Sequence, residues 1–188
     1  MAPARKRIVT VFTIGHSTRP LDDFVAALKA AGVVALADIR RYPRSRRHPH
    51  FNAEALGPAL RGKGIAYHPF PALGGRRAGP SGDAPSPNDM WREKPFRNYA
   101  DYALTPEFRA AFDALAALAQ RETCAVMCAE AVWWRCHRRI VADYLLAAGF
   151  KVEHIFDAQK REAATLTPGA APRPDGTVLY PAAEPRLL

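Results

Sequence analysis

The sequence is poor in cysteine, with three among 188 residues. So small and odd a number builds no disulfide framework, and the expected compartment is the reducing cytoplasm. Long apolar runs are missing as well. No stretch approaches the roughly 20 residues of a membrane span, so no membrane partner is expected. Met1 to Arg7 is basic, but the apolar stretch behind it, Ile8 to Ile14, is short and has no small-residue cleavage site. A secretory signal is therefore not expected. Acidic residues are outnumbered, 18 against 27 Lys and Arg, for a formal net charge of +9. That balance favours an anionic partner: a nucleotide, a nucleic acid or another phosphate compound. Nothing repeats internally, and no Cys-x-x-Cys pair, dinucleotide fingerprint or Walker pattern occurs. The oligomeric state is not legible.

What is present suits one globular domain. Apolar residues make up 48% and charged residues 24%, enough for a real core. Short apolar runs alternate with helical stripes. Strands are expected near residues 8–14, 33–39, 65–68, 123–128 and 151–155, where β-branched and apolar residues cluster without helical period. Between them, Leu21, Phe24, Val25 and Leu28 repeat at helical spacing after Pro20. Asn52 suits the cap of a helix over Ala53–Arg61 that stops at Gly62. Thr105-Pro106-Glu107 is a helix opening: cap, first-turn proline, then an acid near the positive dipole end. Ile140, Val141, Tyr144, Leu145 and Ala148 line another helix. Leu73 to Pro95 reads as a long loop rich in Gly, Pro, Ser and Arg.

This alternation predicts an α/β three-layer sandwich, with a mostly parallel central sheet and helices on both faces. A single α/β domain is expected over residues 1–160, followed by a Pro-rich C-terminal tail over 161–188. Within that tail, Val178-Leu-Tyr180 reads either as an edge strand or as part of a wandering chain.

In such sheets ligands bind beyond the carboxyl ends of the strands. Four polar groups fall there: His16-Ser17, Asp38-Ile-Arg40, His68 leading to Gly74-Gly75-Arg76, and Cys128-Ala-Glu130. The densest group is Cys128-Ala-Glu-Ala-Val-Trp-Trp-Arg-Cys-His-Arg138. A thiol at Cys136, near a helix start and beside His137, Arg135 and Arg138, would have its thiolate favoured. Cys128, Glu130, Cys136 and His137 are the candidate catalytic residues: thiols for nucleophilic or redox work, Glu130 and His137 for proton transfer. Both thiols also fit as small buried apolar residues, and Cys124 reads as core. A metal ion is an option but not favoured, because adjacent helix residues such as Cys136 and His137 would point roughly 100° apart. A phosphatase loop needs an arginine six residues after its cysteine. Here that place is Trp134, and Arg135 comes one later.

Arg40-Arg41-Tyr-Pro-Arg44-Ser-Arg46-Arg47-His48 contains no acid. It reads as an anion clamp or as a solvated loop. His16, Ser17, Asp38, Arg40, Ser45, Arg46, Gly74, Gly75 and Arg138 are the candidate substrate-binding residues. Ser17 or Thr18 fits equally as a helix cap, and Asp38 as a structural salt-bridge partner. Aromatic residues such as Trp133 and Trp134 fit base stacking or plain packing.

Taken together, Thr13-Ile-Gly-His-Ser17, Asp38-Ile-Arg40, Pro43-Arg-Ser-Arg46, Leu73-Gly-Gly75, Tyr99-Ala-Asp-Tyr102, Met127-Cys-Ala-Glu130 and Cys136-His-Arg138 resemble the domain of unknown function 488. The resemblance spans Ile8 to Ile155. It implies a small cytoplasmic α/β protein and marks these residues as signature positions, and it supplies no reaction. Three functions are weighed: an enzyme on a phosphate-bearing substrate, nucleotide or nucleic acid; a non-catalytic nucleic-acid-binding module; and a thiol redox protein using Cys128 and Cys136.

Overall fold

The computed structural model describes residues 8–79 and 85–182. The basic Met1–Arg7 segment, the middle of the Leu73–Pro95 loop and the last residues of the tail lie outside the described residues. The elements in chain order are β1 (Thr10–Gly15), α1 (Leu21–Ala30), β2 (Ala35–Asp38), α2 (Ala53–Arg61), β3 (Ala66–Pro69), α3 (Lys94–Tyr102), α4 (Pro106–Arg121), β4 (Cys124–Cys128), α5 (Arg138–Ala147), β5 (Lys151–Ile155) and β6 (Arg161–Ala163). A short pair follows, β7 (Ala171–Pro172) and β8 (Val178–Leu179).

The main sheet has six strands in the order β3-β2-β4-β1-β5-β6. All neighbouring pairs are parallel except β5 with β6. Alternation along each strand divides the core. Phe12, Ile14, Leu36, Ala125 and Met127 pack with Phe24 and Leu28 of α1 and Leu56 and Leu60 of α2. Val11, Ala35, Ala37, Cys124, Val126 and Cys128 face the other way, against Tyr99 of α3, Phe108 and Leu115 of α4, and Ile140 and Val141 of α5. The central strands are therefore apolar at nearly every position, as a sheet covered on both faces requires. The fold is the expected three-layer α/β sandwich.

The differences from expectation have local causes. Pro20, not Ser17 or Thr18, holds the cap position of α1. Asn52 occupies the cap position of α2, but its side chain accepts from Ser45 N at 2.6 Å instead of an α2 N–H. Helix α3, which no sequence expectation covered, opens at the end of the Leu73–Pro95 loop: Pro95 lies in its first turn, and Phe96, Tyr99, Ala100 and Ala103 have helical spacing. Val178 does not join the main sheet. It pairs with Pro172, while the charged and fully exposed β6 takes the sheet edge.

The segment after residue 160 is docked. Val178 and Tyr180 are completely buried. Tyr180 Oη donates to Asp143 Oδ2 at 2.8 Å, and its N–H donates to Asn88 Oδ1 at 3.0 Å. Among the described residues no helix is long and apolar enough to cross a membrane.

Candidate functional site

The connection from β1 runs through α1 to one side of the sheet, and the connection from β4 runs through α5 to the other. The two strands are neighbours, with Gly15 opposite Cys128. Such a reversal opens a crevice at the carboxyl ends of the strands. The chain continues there as a ladder: His16 N donates to Cys128 O at 3.0 Å and Ser17 N to Ala129 O at 2.9 Å. Ser17 is drawn into positive φ, 50°. Gly15 is required by close approach, since a Cβ there would overlap the Glu130 carbonyl.

Two clusters form at this edge. In the first, Arg40 Nη2 pairs with Asp38 Oδ2 at 2.6 Å and its Nε with Oδ1 at 2.9 Å. Nη2 also donates to Phe51 O at 2.7 Å, and Tyr67 Oη donates to Asp38 Oδ2 at 2.7 Å. His16 stacks on Phe51 with centroids 4.3 Å apart. Its Nδ1 faces Ser17 O at 2.9 Å and its Nε2 faces Arg40 Nη1 at 3.3 Å. A carbonyl can only accept and a guanidinium only donate, so the proton of the neutral ring is on Nδ1. Burial, with Arg40 adding, lowers His16 to about 4. The Arg40 charge is thus matched by Asp38, which ties the end of β2 to the Phe51 turn.

The second cluster holds the sulfur atoms. Cys136 is not in α5. It precedes the helix with extended backbone, φ −130° and ψ 148°, so the 100° separation expected from His137 does not apply. Its Sγ lies 3.5 Å from His137 Nδ1 and accepts from Arg138 N at 3.4 Å. His137 Nε2 faces Ile39 O at 3.1 Å, which places the ring proton on Nε2 and leaves Nδ1 as an acceptor toward the thiol. Arg138, 1% exposed, reaches back to Glu130 O at 2.7 Å and Ala131 O at 3.3 Å. Its Nε has no hydrogen-bond partner among the described residues.

These neighbours make the thiols unequal. Burial pushes Cys136 up, but the hydrogen bond with the Cys128 thiol, the Arg138 guanidinium and the Arg138 N–H together pull it lower, to about 7. Cys128 goes the other way: burial raises it well above the ordinary thiol value, and its hydrogen bond to Cys136 adds to the rise. Cys124, buried at the start of β4, is pushed up to about 12 by burial. His137 is lowered, mainly by burial, and stays neutral. Burial opposes the Arg138 charge, and the two cysteines more than offset it.

A family model described as domain of unknown function DUF488 matches residues 20–145. The chain belongs to the DUF488 family. No curated protein and no solved structure matches it at a significant level. The matched span is narrower than Ile8 to Ile155, so the Thr13–Ser17 segment lies before it while Asp38, Gly74, Gly75 and the whole Cys128–Arg138 stretch lie within it.

In this DUF488 chain the Gly74-Gly75 turn threads between two groups. A Cβ on Gly74 would come within 2.5 Å of Arg41 N, and one on Gly75 within 2.8 Å of His137 Nδ1. Tyr99 Oη donates to Leu73 O and Tyr102 Oη to Ala72 O, each at 2.6 Å, so α3 holds this turn against the site. Other signature residues stand apart. Glu130 contributes its carbonyl to Arg138, while its side chain is exposed. Ser45 closes a turn by accepting from His48 N at 3.1 Å. Arg46 and Arg47 are exposed, with no acidic partner among the described residues. Sequence reasoning marked Tyr99 only as a signature position, without its bond to Leu73 O, and missed Tyr67 and the Thr13–His154–Trp133 stack. There Thr13 Oγ1 and His154 Nδ1 share a 2.7 Å hydrogen bond and the Trp133 ring lies 4.4 Å from that of His154. Strand alternation alone could have paired Thr13 with His154, which sit side by side on β1 and β5. Among the described residues no three His, Cys, Asp or Glu side chains converge to hold a metal ion. Two hollows of about 330 and 440 Å³ run along α4, both bordered by Arg109, away from the strand ends. The polarised groups gather instead at the strand ends.

Proposed function

We propose that this protein is a cysteine-dependent enzyme acting on a phosphate-bearing substrate, a nucleotide or nucleic acid, with Cys136 as nucleophile. The observation that carries the reading is the placement of Cys136 Sγ: it accepts the Arg138 N–H at the start of α5 and faces His137 Nδ1. A thiolate held in this way is the reactive form of cysteine at neutral pH. His137 Nδ1 takes the proton from thiol still protonated. The sulfur attacks phosphorus, an ester P–O bond breaks, and His137 returns the proton to the departing oxygen; water, losing a proton to His137, then attacks the phosphorus, and the P–S bond breaks to release the phosphate and restore the thiolate. Arg138 keeps positive charge beside the sulfur throughout. Because Arg40 is matched by Asp38, Arg46 and Arg47, exposed and without an acidic partner among the described residues, are the better anion contacts.

The test is turnover of a panel of phosphomonoesters and phosphodiesters, nucleoside phosphates and a single-stranded oligonucleotide included. Cys136→Ser is expected to abolish turnover, and Arg46→Ala with Arg47→Ala to raise KM with kcat preserved. Full turnover by Cys136→Ser overturns the reading. A second reading, nucleic-acid binding without catalysis, draws on the same two arginines and on the exposed rings of Tyr42 and Trp134. It requires affinity for an oligonucleotide that falls steeply with salt and does not depend on Cys136.

A further inference from the structure

Cys128 closes β4 and Cys136 stands just before α5, at the two ends of the short return of the chain between these elements. Both are buried, at 2% and 3% exposure, and both are free. Both belong to one buried cluster, each thiol acts on the ionisation of the other, and Arg138 acts on both. Cys124 is four residues back along β4, about 13 Å away at ~3.3 Å per residue. That distance is beyond the reach of a disulfide, whose Cα atoms lie within about 7 Å. Cys128 and Cys136 are therefore the neighbouring thiols of the chain, and Cys124 stands apart from Cys128.

We propose that Cys128 and Cys136 form a working dithiol that reduces small hydroperoxides and closes to an internal Cys128–Cys136 disulfide. This activity stands apart from phosphate chemistry and does not need it. The roles follow from the neighbours. Cys136, with the Arg138 N–H and guanidinium on its sulfur, is the attacking thiolate. Cys128, which keeps its proton, is the resolving thiol. The Cys136 sulfur attacks the terminal oxygen of the hydroperoxide and the O–O bond breaks. Its electron pair leaves with the other oxygen, which takes up a proton as alcohol or water. Cys136 becomes a sulfenic acid. Cys128 then gives up its proton to His137 Nδ1, the acceptor that faces the Cys136 sulfur, and its own sulfur attacks Cys136. Hydroxide departs with that proton as water. In sum, one hydroperoxide and two thiols yield one alcohol or water, one further water and one disulfide. Two equivalents of a low-molecular-mass thiol restore the pair by exchange. The burial of both sulfurs restricts the oxidant to a few atoms, so hydrogen peroxide is the probe of choice.

The experiment uses the full chain, reduced, then treated with stoichiometric hydrogen peroxide under native conditions and quenched in acid. Free thiols should fall from three to one. The intact mass should drop by two hydrogens, and peptide mapping should join Cys128 to Cys136 with Cys124 left free. Cys128→Ala should halt at a sulfenic acid that a 1,3-dione reagent captures on Cys136. The mapping of the unsubstituted chain decides the matter even if that variant fails to fold. A titre that stays at three, a bond to Cys124 or between chains, or simple oxygen addition without a bond overturns the proposal. A chain that hydrolyses phosphate esters yet never closes this disulfide refutes the dithiol alone. One that closes it and turns over no ester refutes the phosphate reading alone.

Discussion

Acid should unfold this protein through two buried histidines. His16 and His154 are each 3% exposed. Burial, with a nearby arginine adding, lowers both from 6.5 to about 4. Protonating His16 would turn its Nε2 from an acceptor into a donor facing Arg40 Nη1. The folded state therefore resists a proton that the unfolded chain takes up below pH 6.5. The stability from each neutral ring is fully present above pH 6.5, and it is lost as the pH falls through about 4. A fall from 6.5 to about 4 corresponds to roughly 3 kcal/mol per ring at ~1.4 kcal/mol per pH unit. Two rings together approach ~6 kcal/mol, a large share of the ~5–15 kcal/mol that holds a domain folded. His137, also lowered, has the same sign, and Asp143, raised by burial, has the opposite one. The assay is urea unfolding between pH 7 and 4.5. Near pH 5 the slope should approach ~2.5 kcal/mol per pH unit from these two groups, and His154→Asn or His16→Asn should each remove about half of it. Slopes unchanged in both variants would refute the reasoning, because the protons would then be bound elsewhere.

Three further outcomes follow from the same geometry. Arg138→Met should raise the Cys136 pKa from about 7; a rise of one unit lowers the thiolate fraction at pH 7 from about half to about a tenth, so iodoacetamide alkylation should slow roughly five-fold, and an unmoved rate–pH midpoint would show that Arg138 does not charge the thiol. Gly15→Ala should cost ~3 kcal/mol or more in urea unfolding, because the new Cβ meets the backbone carbonyl of Glu130 and no flexible side chain that could yield; wild-type stability would mean the 129–131 turn moves freely. Tyr180→Phe strips a hydrogen bond from buried Asp143 and should cost ~1–3 kcal/mol, a loss read as a lower Tm; a neutral result would mean the C-terminal segment is not held at Asp143.

The five core strands were legible because a sheet covered on both faces leaves near-continuous apolar runs, as in Val11–Ile14 and Cys124–Cys128. Helix α4 was legible at its start, and Thr105 Oγ1 does accept from Phe108 N at 3.3 Å. What escaped is what non-local contact decides. β6 is Arg-Glu-Ala, wholly exposed, and owes its strand conformation to the free edge of β5. The role of Tyr99 depends on a carbonyl 26 positions away. The sequence placed Cys128, Cys136, His137 and Arg138 close together, but the contact of Cys136 with His137 requires an extended residue where a helical one was assumed. Arg40 read equally as an anion clamp and as half of a salt bridge, because the sequence does not say whether the Asp38 two residues before it turns toward it; the structure pairs them.

The strand order also governs when this chain can fold during its synthesis. β1 has no sheet partner in the first half of the sequence: its neighbours are β4 and β5, beginning at residues 124 and 151. β2 and β3 can join each other early, but β4 must later insert between that pair and β1. At ~5–20 residues per second, the ribosome needs on the order of 6–20 s to travel from β1 to the end of β4. Over that interval Val11, Phe12 and Ile14, all buried in the finished molecule, have nothing native to pair with. A nascent chain halted near residue 120 should bind a holdase chaperone through this strand, and one extended past β5 should release it. The sulfur pair belongs to the same late stage, because Cys128 closes β4 and Cys136 is made only after it.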